Sequence, residues 1–323
     1  MKLATIDNGS RDGCLAVVAR DGARYVSASD IAPCMQEALE NWTELAPILA
    51  RLSEQLDQGG GKSLEDANIL APLPRAWQWL DGSAFKSHGD LMEKVFGIDP
   101  VPLDKPLMYQ GMSHRFLSAT QDVEFLREED DIDFEGELGI ITDDVPMGIS
   151  AAEAMGHIKL IVQINDWSLR RLAPAEMKTG FGWIQAKPAC SMAPFAVTPD
   201  ELGDAWQDGR VHLPLTVDWN GKRFGNAQAG VMDVGFHELI AHAAATRDLC
   251  AGTVIGSGTV SNENFREIGS SCIAERRGIE IVDEGAPRTG FMQFGDRVRM
   301  EACGQDGSSV FGAIEQCVTR REL

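Results

Sequence analysis

Apolar residues recur along this chain with different periods, and the contrast predicts its elements. Ile132, Phe134, Leu138 and Ile140 occupy even positions, a period of two that marks a strand. On that strand Glu135 and Glu137 share one face, roughly 6.5–7 Å apart along the chain. Residues 159–165, with the apolar run Leu160-Ile161-Val162 and Ile164, are read as a buried strand that delivers Asp166 at its mouth. Residues 2–28 read as small strands broken at Asn8-Gly9, Asp12-Gly13 and Asp21-Gly22. Asp-Gly between alternating segments is a strong hairpin signal. Residues 29–58 turn helical, with an amphipathic stretch over 44–58 closed by Gly59-Gly60-Gly61. Ala71-Pro72-Leu73-Pro74 is a stiff connector, and a domain boundary is expected there. Residues 1–74 then form a small β-rich and helical N-terminal domain, and 75–323 a larger one.

In the larger part, 150–157 predicts a short helix with a serine cap. Asn220-Gly221 joins strands over 211–219 and 223–228, and 236–250 reads as a helix with Gly252 just beyond it. Residues 253–261, 297–302 and 310–318 read as further strands, and Glu275 is also read on a strand. Strands outnumber helices, so the sheets are expected to be mostly antiparallel or mixed. No regular βαβα alternation and no internal repeat occurs, which argues against a TIM barrel or a Rossmann domain.

The acids give this framework its chemistry. Two carboxylates from one strand and a third from the end of another make an oxygen-rich pocket. Such a pocket suits Mg²⁺ or Ca²⁺ and disfavours Zn²⁺, which prefers nitrogen and sulfur. The alternative is a solvated charged face, as acid-rich runs usually are. The net charge of −20 argues against nucleic acid and anionic membranes as partners. It also means that an acidic substrate needs a local cation to hold it. The seven cysteines are odd in number and scattered without a CxxC pair, which points to a reducing cytoplasm and to no zinc or disulfide framework. Residues 1–7 show no signal-peptide pattern, and no apolar run approaches the roughly 18 residues of a membrane span.

Two motifs are decoys. In His237-Glu238-Leu239-Ile240-Ala241-His242 the histidines are five apart, so on a helix they point about 140° away from each other. Gly256-Ser257-Gly258-Thr259-Val260-Ser261 lacks the third glycine of a dinucleotide loop and opens no helix, so it reads as a strand with close backbone approach. No G-x-S-x-G or P-loop is present.

Four segments occur in order: Asp133-Phe134-Glu135-Gly136-Glu137-Leu138-Gly139, Gln163-Ile164-Asn165-Asp166-Trp167-Ser168-Leu169-Arg170, Gln185-Ala186-Lys187-Pro188, and the Gly256–Ser261 segment already quoted. In combination they resemble the fumarylacetoacetate hydrolase family, over roughly residues 80–318. The strands and helix of the N-terminal part resemble the small domain at the fumarylacetoacetase end of that family. The resemblance implies a mixed β-sandwich roll (an α+β fold), a divalent cation and a homodimer. It leaves the substrate open, because relatives hydrolyse, hydrate, decarboxylate and isomerise.

By the same resemblance Glu135, Glu137 and Asp166 are metal carboxylates, and Asp81 is placed like a further acidic ligand. His88 falls where fumarylacetoacetases keep a catalytic histidine, and Glu275 matches the acid paired with it. Lys187 matches the active-site lysine. Tyr109 and Gln110, in Met108-Tyr109-Gln110-Gly111, and Thr259 fall at substrate-contacting positions. Arg170 is read as a structural ion-pair partner, and His114 lies close by without a role. Departures fall where the family holds its substrate: a glutamine is replaced by Ala173, a tyrosine by Met177, and an arginine near 97 is missing.

The expected activity is divalent-metal-dependent C–C hydrolysis of a 1,3-dicarbonyl or acylpyruvate, such as fumarylacetoacetate, in aromatic catabolism. The cation would be Mg²⁺ or Ca²⁺, with Mn²⁺ also suited, and the partner a small oxo-acid. A decarboxylase or hydratase on a related 2-oxo acid would use the same metal without a water-activating dyad. A non-catalytic cation-binding protein would instead close the site with protein ligands.

Overall fold

A computed structural model describes residues 1–96, 105–304 and 306–323. The position near 97 lies outside the described residues. The chain folds into two main sheets with helices packed on them. The larger, twelve-stranded sheet runs Lys62–Ser63, Arg24–Ser27, Cys14–Val18, Lys2–Ile6, Ala196–Val197, Ile158–Asn165, Gly136–Thr142, Thr253–Gly256, Gln78–Gly82, Met108–Gln110, with two short strands off this path. The smaller has five strands, ordered Lys222–Gln228, Pro214–Trp219, Arg297–Ala302, Ile314–Arg320, Val123–Phe125. Thr253–Gly256 pairs in parallel with Gln78–Gly82, and Ile314–Arg320 with Val123–Phe125; the other pairs within these two sheets are antiparallel. The sheets are mixed, as the turn chemistry leads one to expect. Asn220-Gly221 makes the two-residue turn between Trp219 and Lys222, with φ of 51° and 72°, which is why Asn and Gly stand there.

The alternation over 132–141 has a different meaning from the one expected. Strand Gly136–Thr142 is buried on both faces, and Ile132–Asp133 leaves it to pair with Ser168–Leu169. Period two here separates two cores rather than core from water. Leu138 and Ile140 enter one core with Leu215, Val217 and Met300. Ile141 enters the other with Leu160, Val162 and the helix residues Leu49 and Leu56. Glu135 and Glu137 share the parity of Ile141, so they face away from the smaller sheet.

Gly136, between the two glutamates, faces that smaller sheet. A Cβ there would stand 3.0 Å from Leu215 Cδ2 and 3.4 Å from Val217 Cγ2. The sheets are also tied by Gln163, fully buried, which donates to the Met300 carbonyl at 3.0 Å and accepts from the Ala302 N–H at 2.7 Å.

Some expected boundaries move. The 236–250 helix is α-helical only over Phe236–Ala243, because Leu249 pairs backbone to backbone with Val145. The 253–261 strand stops at Gly256, since Gly258 takes φ of 73° and turns the chain. The 310–318 strand begins only at Ile314, after Gly312 at φ of 78°. Glu275 lies in the first turn of helix Ile273–Glu284, not on a strand.

Gly136→Val forces branched carbons between the sheets. It should lower unfolding free energy by about 1–3 kcal/mol, read as a reduced urea midpoint. An unchanged midpoint would mean that the sheets do not meet there.

Candidate active site

Five neighbouring strands deliver the site. Asp166 follows Ile158–Asn165, Glu137 lies on Gly136–Thr142, Gly256 ends the next strand, Asp81 lies on Gln78–Gly82 and Tyr109 on Met108–Gln110. Register aligns them: Glu137 faces Ile164, Gly256 faces Asp81, and Asp81 faces Tyr109. Asp81, Glu137 and Asp166 are buried, and each offers an oxygen within 4.8 Å of the others. Gly256 makes the room, since a Cβ on it would come within 2.4 Å of Asp81 Oδ1. Two residues on, the Gly258 N–H donates to that same oxygen at 3.0 Å. The glycines of the decoy dinucleotide motif therefore bring backbone up to Asp81.

Glu135 stands beside this trio and is held differently. Lys187 Nζ donates to its Oε1 at 2.7 Å, and Arg170 Nη2 lies 3.0 Å from the same atom. Ser168 and Thr259 hydroxyls donate to Oε1 and Oε2. Lys187 also donates to Asp166 Oδ2, which accepts the Tyr109 hydroxyl at 2.6 Å. Cys190 Sγ donates to Asp166 Oδ1 at 2.9 Å. Trp183 packs edge-on to Tyr109 with ring centroids 6.2 Å apart.

The charges respond. Burial, then the Asp166 carboxylate, raise Asp81 to about 8. Burial and the neighbouring Asp81 push Glu137 well above the ordinary carboxylate range. Burial alone would also raise Glu135, but Arg170 and Lys187 outweigh it and hold it low. Burial opposes the Lys187 ammonium, yet Asp166 and Glu135 keep it firmly charged. Glu137 carries the clearest sign of a missing partner: both its oxygens are buried with no hydrogen bond. Three clustered carboxylates, one of them without any hydrogen-bond partner, offer hard oxygens that fit a divalent cation.

A second constellation adjoins the first. His88 Nδ1 lies 3.0 Å from Glu275 Oε2, across 187 positions of sequence. Helix Ile273–Glu284 aims Glu275, and buried Asp133 fixes that helix by accepting the N–H groups of Ile273 at 2.7 Å and Ala274 at 2.9 Å. Asp133 also pairs with Arg170 Nε at 2.8 Å, and Glu135 bridges backbone to backbone with Cys272, the N-cap of the helix. One chain of contacts thus runs from Glu135 through Arg170 and Asp133 to the dyad.

The structure does not bring Gln110 into the cluster: it is exposed and, one residue from Tyr109 on a strand, points to the opposite face. His114 is exposed, and Met177 sits exposed on helix Ala173–Thr179, which begins at Ala173. Sequence reasoning gave no role to Asp133, Ser168, Cys190 or Cys272. The alternation itself could have flagged Asp133, which shares the parity of Glu135 and Glu137.

Comparison with known proteins gives the class. The description "Fumarylacetoacetate (FAA) hydrolase C-terminal" matches residues 78–319, and "Fumarylacetoacetase N-terminal domain 2" matches 1–75. The chain belongs to the fumarylacetoacetate hydrolase family, whose members are divalent-metal-dependent enzymes. It is 27% identical over 163 residues to 2,4-didehydro-3-deoxy-L-rhamnonate hydrolase of Sphingomonas sp. (strain SKA58), covering 50% of this chain and 54% of that one. The chain thus spans about half the length of this curated relative. The fold matches that of maleylpyruvate hydrolase from Sphingobium sp. SYK-6 in complex with manganese (II) ion and pyruvate, with a TM-score of 0.68, 16% identity and full coverage of both chains. It matches a probable 2-hydroxyhepta-2,4-diene-1,7-dioate isomerase from Mycobacterium abscessus equally, with a TM-score of 0.68, 16% identity and full coverage of both. Among the described residues no helix is long and apolar enough to cross a membrane.

Two outcomes follow from the carboxylate cluster. Mg²⁺ or Mn²⁺ at about a hundred times its Kd should stabilise the wild type by about 2–3 kcal/mol, and Glu137→Gln should lose that gain in thermal melts. Equal stabilisation of both proteins would place the cation elsewhere. The native cluster holds protons that the unfolded chain releases between the ordinary carboxylate range and about 8. Cation-free stability should therefore fall as pH rises across that window, and calorimetric cation affinity should rise with it. An affinity flat from about pH 6 to 9 would refute the coupling.

Proposed function

We propose that this chain is a divalent-metal-dependent hydrolase that cleaves a C–C bond in a 1,3-dicarbonyl substrate of the acylpyruvate type. The observation that carries the reading is the His88–Glu275 pair beside an acid cluster suited to a cation. Asp81, Glu137 and Asp166 would hold Mg²⁺, Ca²⁺ or Mn²⁺, with Glu135 adjoining them. When bound, such a cation polarises a chelating carbonyl and stabilises negative charge on the departing enolate.

The chain's own residues supply the remaining steps. Glu275 accepts from His88 Nδ1, which leaves Nε2 unprotonated and able to take a proton from water. The hydroxide equivalent adds to the acyl carbonyl carbon. The C–C bond then breaks, its electron pair leaves with the pyruvate half as an enolate, and the imidazolium returns the proton to carbon. The products are a carboxylic acid and pyruvate. Lys187 offsets negative charge on the tetrahedral oxygen or on the substrate carboxylate. Tyr109 and Thr259 border the pocket where substrate oxygens would lie. Arg170, tied to Asp133, sets the helix that aims Glu275 and acts through position rather than contact.

In the same reading, residues 1–74 form the small N-terminal domain and 75–323 carry the chemistry. The active assembly is a homodimer, in which a second copy would cover exposed Phe181 and Ile184.

His88→Ala should reduce hydrolysis of a short acylpyruvate by at least about 10²-fold while keeping cation-dependent stabilisation. A mutant that retains full C–C cleavage would refute water activation by this dyad. Metal-dependent decarboxylation of a 2-oxo acid would then be the better reading.

A further inference from the structure

A second group of metal-ligating side chains lies outside the carboxylate centre. His88, Cys272 and Glu275 each offer one ligating atom, and those atoms all lie within 4.8 Å of one another. Cys272 and Glu275 are fully buried, and the His88 side chain keeps 17% of its surface, which leaves a way in. Glu275 Oε2 is used by His88, but Oε1 is buried with no partner. Cys272 and Glu275 are the N-cap and third residue of helix Ile273–Glu284, where the Cys272 sulfur accepts the Glu275 N–H at 3.3 Å. Positions three apart share one face of a helix; burial and the nearby Asp133 keep the Cys272 thiol protonated, and a bound metal ion would displace that proton.

This donor set differs in kind from its neighbour. Asp81, Glu137 and Asp166 present only oxygen, which suits a hard cation. A thiolate, an imidazole and a carboxylate together suit a soft or borderline one. Zn²⁺ bond lengths of about 2.0–2.3 Å place tetrahedral ligands about 3.3–3.8 Å apart, so small side-chain rotations close the present spacing. We propose that His88, Cys272 and Glu275 form a second metal site that takes Zn²⁺ or Cd²⁺ through one sulfur, one nitrogen and one oxygen, with a fourth position left to solvent. Where the dyad activates water, as proposed above, filling this site ties up both its members. Hydrolysis then stops while the carboxylate centre keeps its own cation.

The test reads metal binding and not turnover, so it stands apart from the proposed reaction. The full chain is first saturated with Mg²⁺, then titrated with Cd²⁺, following the ultraviolet thiolate-to-cadmium absorbance. The band should saturate at a single cadmium per chain in the wild type. It should persist in Cys190→Ser, which alters the thiol beside Asp166, and vanish in Cys272→Ser, which keeps an oxygen at the N-cap. His88→Ala should need at least about 10-fold more cadmium. No band in the wild type, a band that survives Cys272→Ser, or one lost in Cys190→Ser would overturn the site. Should Cys272→Ser fail to fold, His88→Ala decides, and unchanged cadmium affinity there overturns it.

Discussion

Carboxylates repel one another, and away from water they do so strongly; the centre of this molecule is built around holding several of them together. Asp81, Asp133, Glu135, Glu137 and Asp166 are all buried, on strands or immediately beside them. Against these five acids stand two partly buried cations, Lys187 and Arg170. The cations serve Asp133, Glu135 and Asp166, and leave Asp81 and Glu137 without a positive partner. Burial and the neighbouring acids push the ionisation of both upward, and burial raises Asp133 as well, against the pull of Arg170. Protons or a divalent cation can relieve them, and only the cation also polarises a ligand. With −20 on the whole chain, no long-range attraction helps an anionic substrate in; that attraction must come from the centre itself.

The geometry that makes this possible comes from absent side chains as much as from charged ones. Gly136 lets the second sheet close on one face of its strand, which commits both glutamates to the other. Gly256 leaves the gap into which Asp81 reaches, and Gly258, in a left-handed conformation, turns its N–H toward that carboxylate. The E-G-E and G-S-G runs are thus two halves of one device, read on adjacent strands.

Much of this was legible before the fold was known. Local signals located the hairpins at Asp21-Gly22 and Asn220-Gly221 and the helix ending at Gly59, because turn and cap chemistry is contained within a few residues. Parity placed Glu135 and Glu137 on one face. Tertiary contacts defeated the rest. Glu275 was read on a strand because its N-cap, Cys272, is not a usual capping residue, and the N–H groups of Ile273 and Ala274 are held by Asp133, which is remote in sequence. Leu249 leaves its helix for a pairing with Val145 that no window of sequence contains. Gln110, expected with Tyr109 among the substrate-contacting residues, faces the other way from it, as neighbours on a strand do.

The parallel pairing of Gln78–Gly82 with Thr253–Gly256 bears on how the protein comes into being. Asp81 leaves the ribosome long before Gly256 and Gly258, which define its surroundings. Until they arrive, its carboxylate is an ordinary surface acid, and strand Gly136–Thr142 lacks a neighbour on one edge. The pocket is therefore among the last parts of the molecule to exist. A chain arrested midway through synthesis would carry most of the acids and none of the centre, and would display an open strand edge of the kind that invites misassembly.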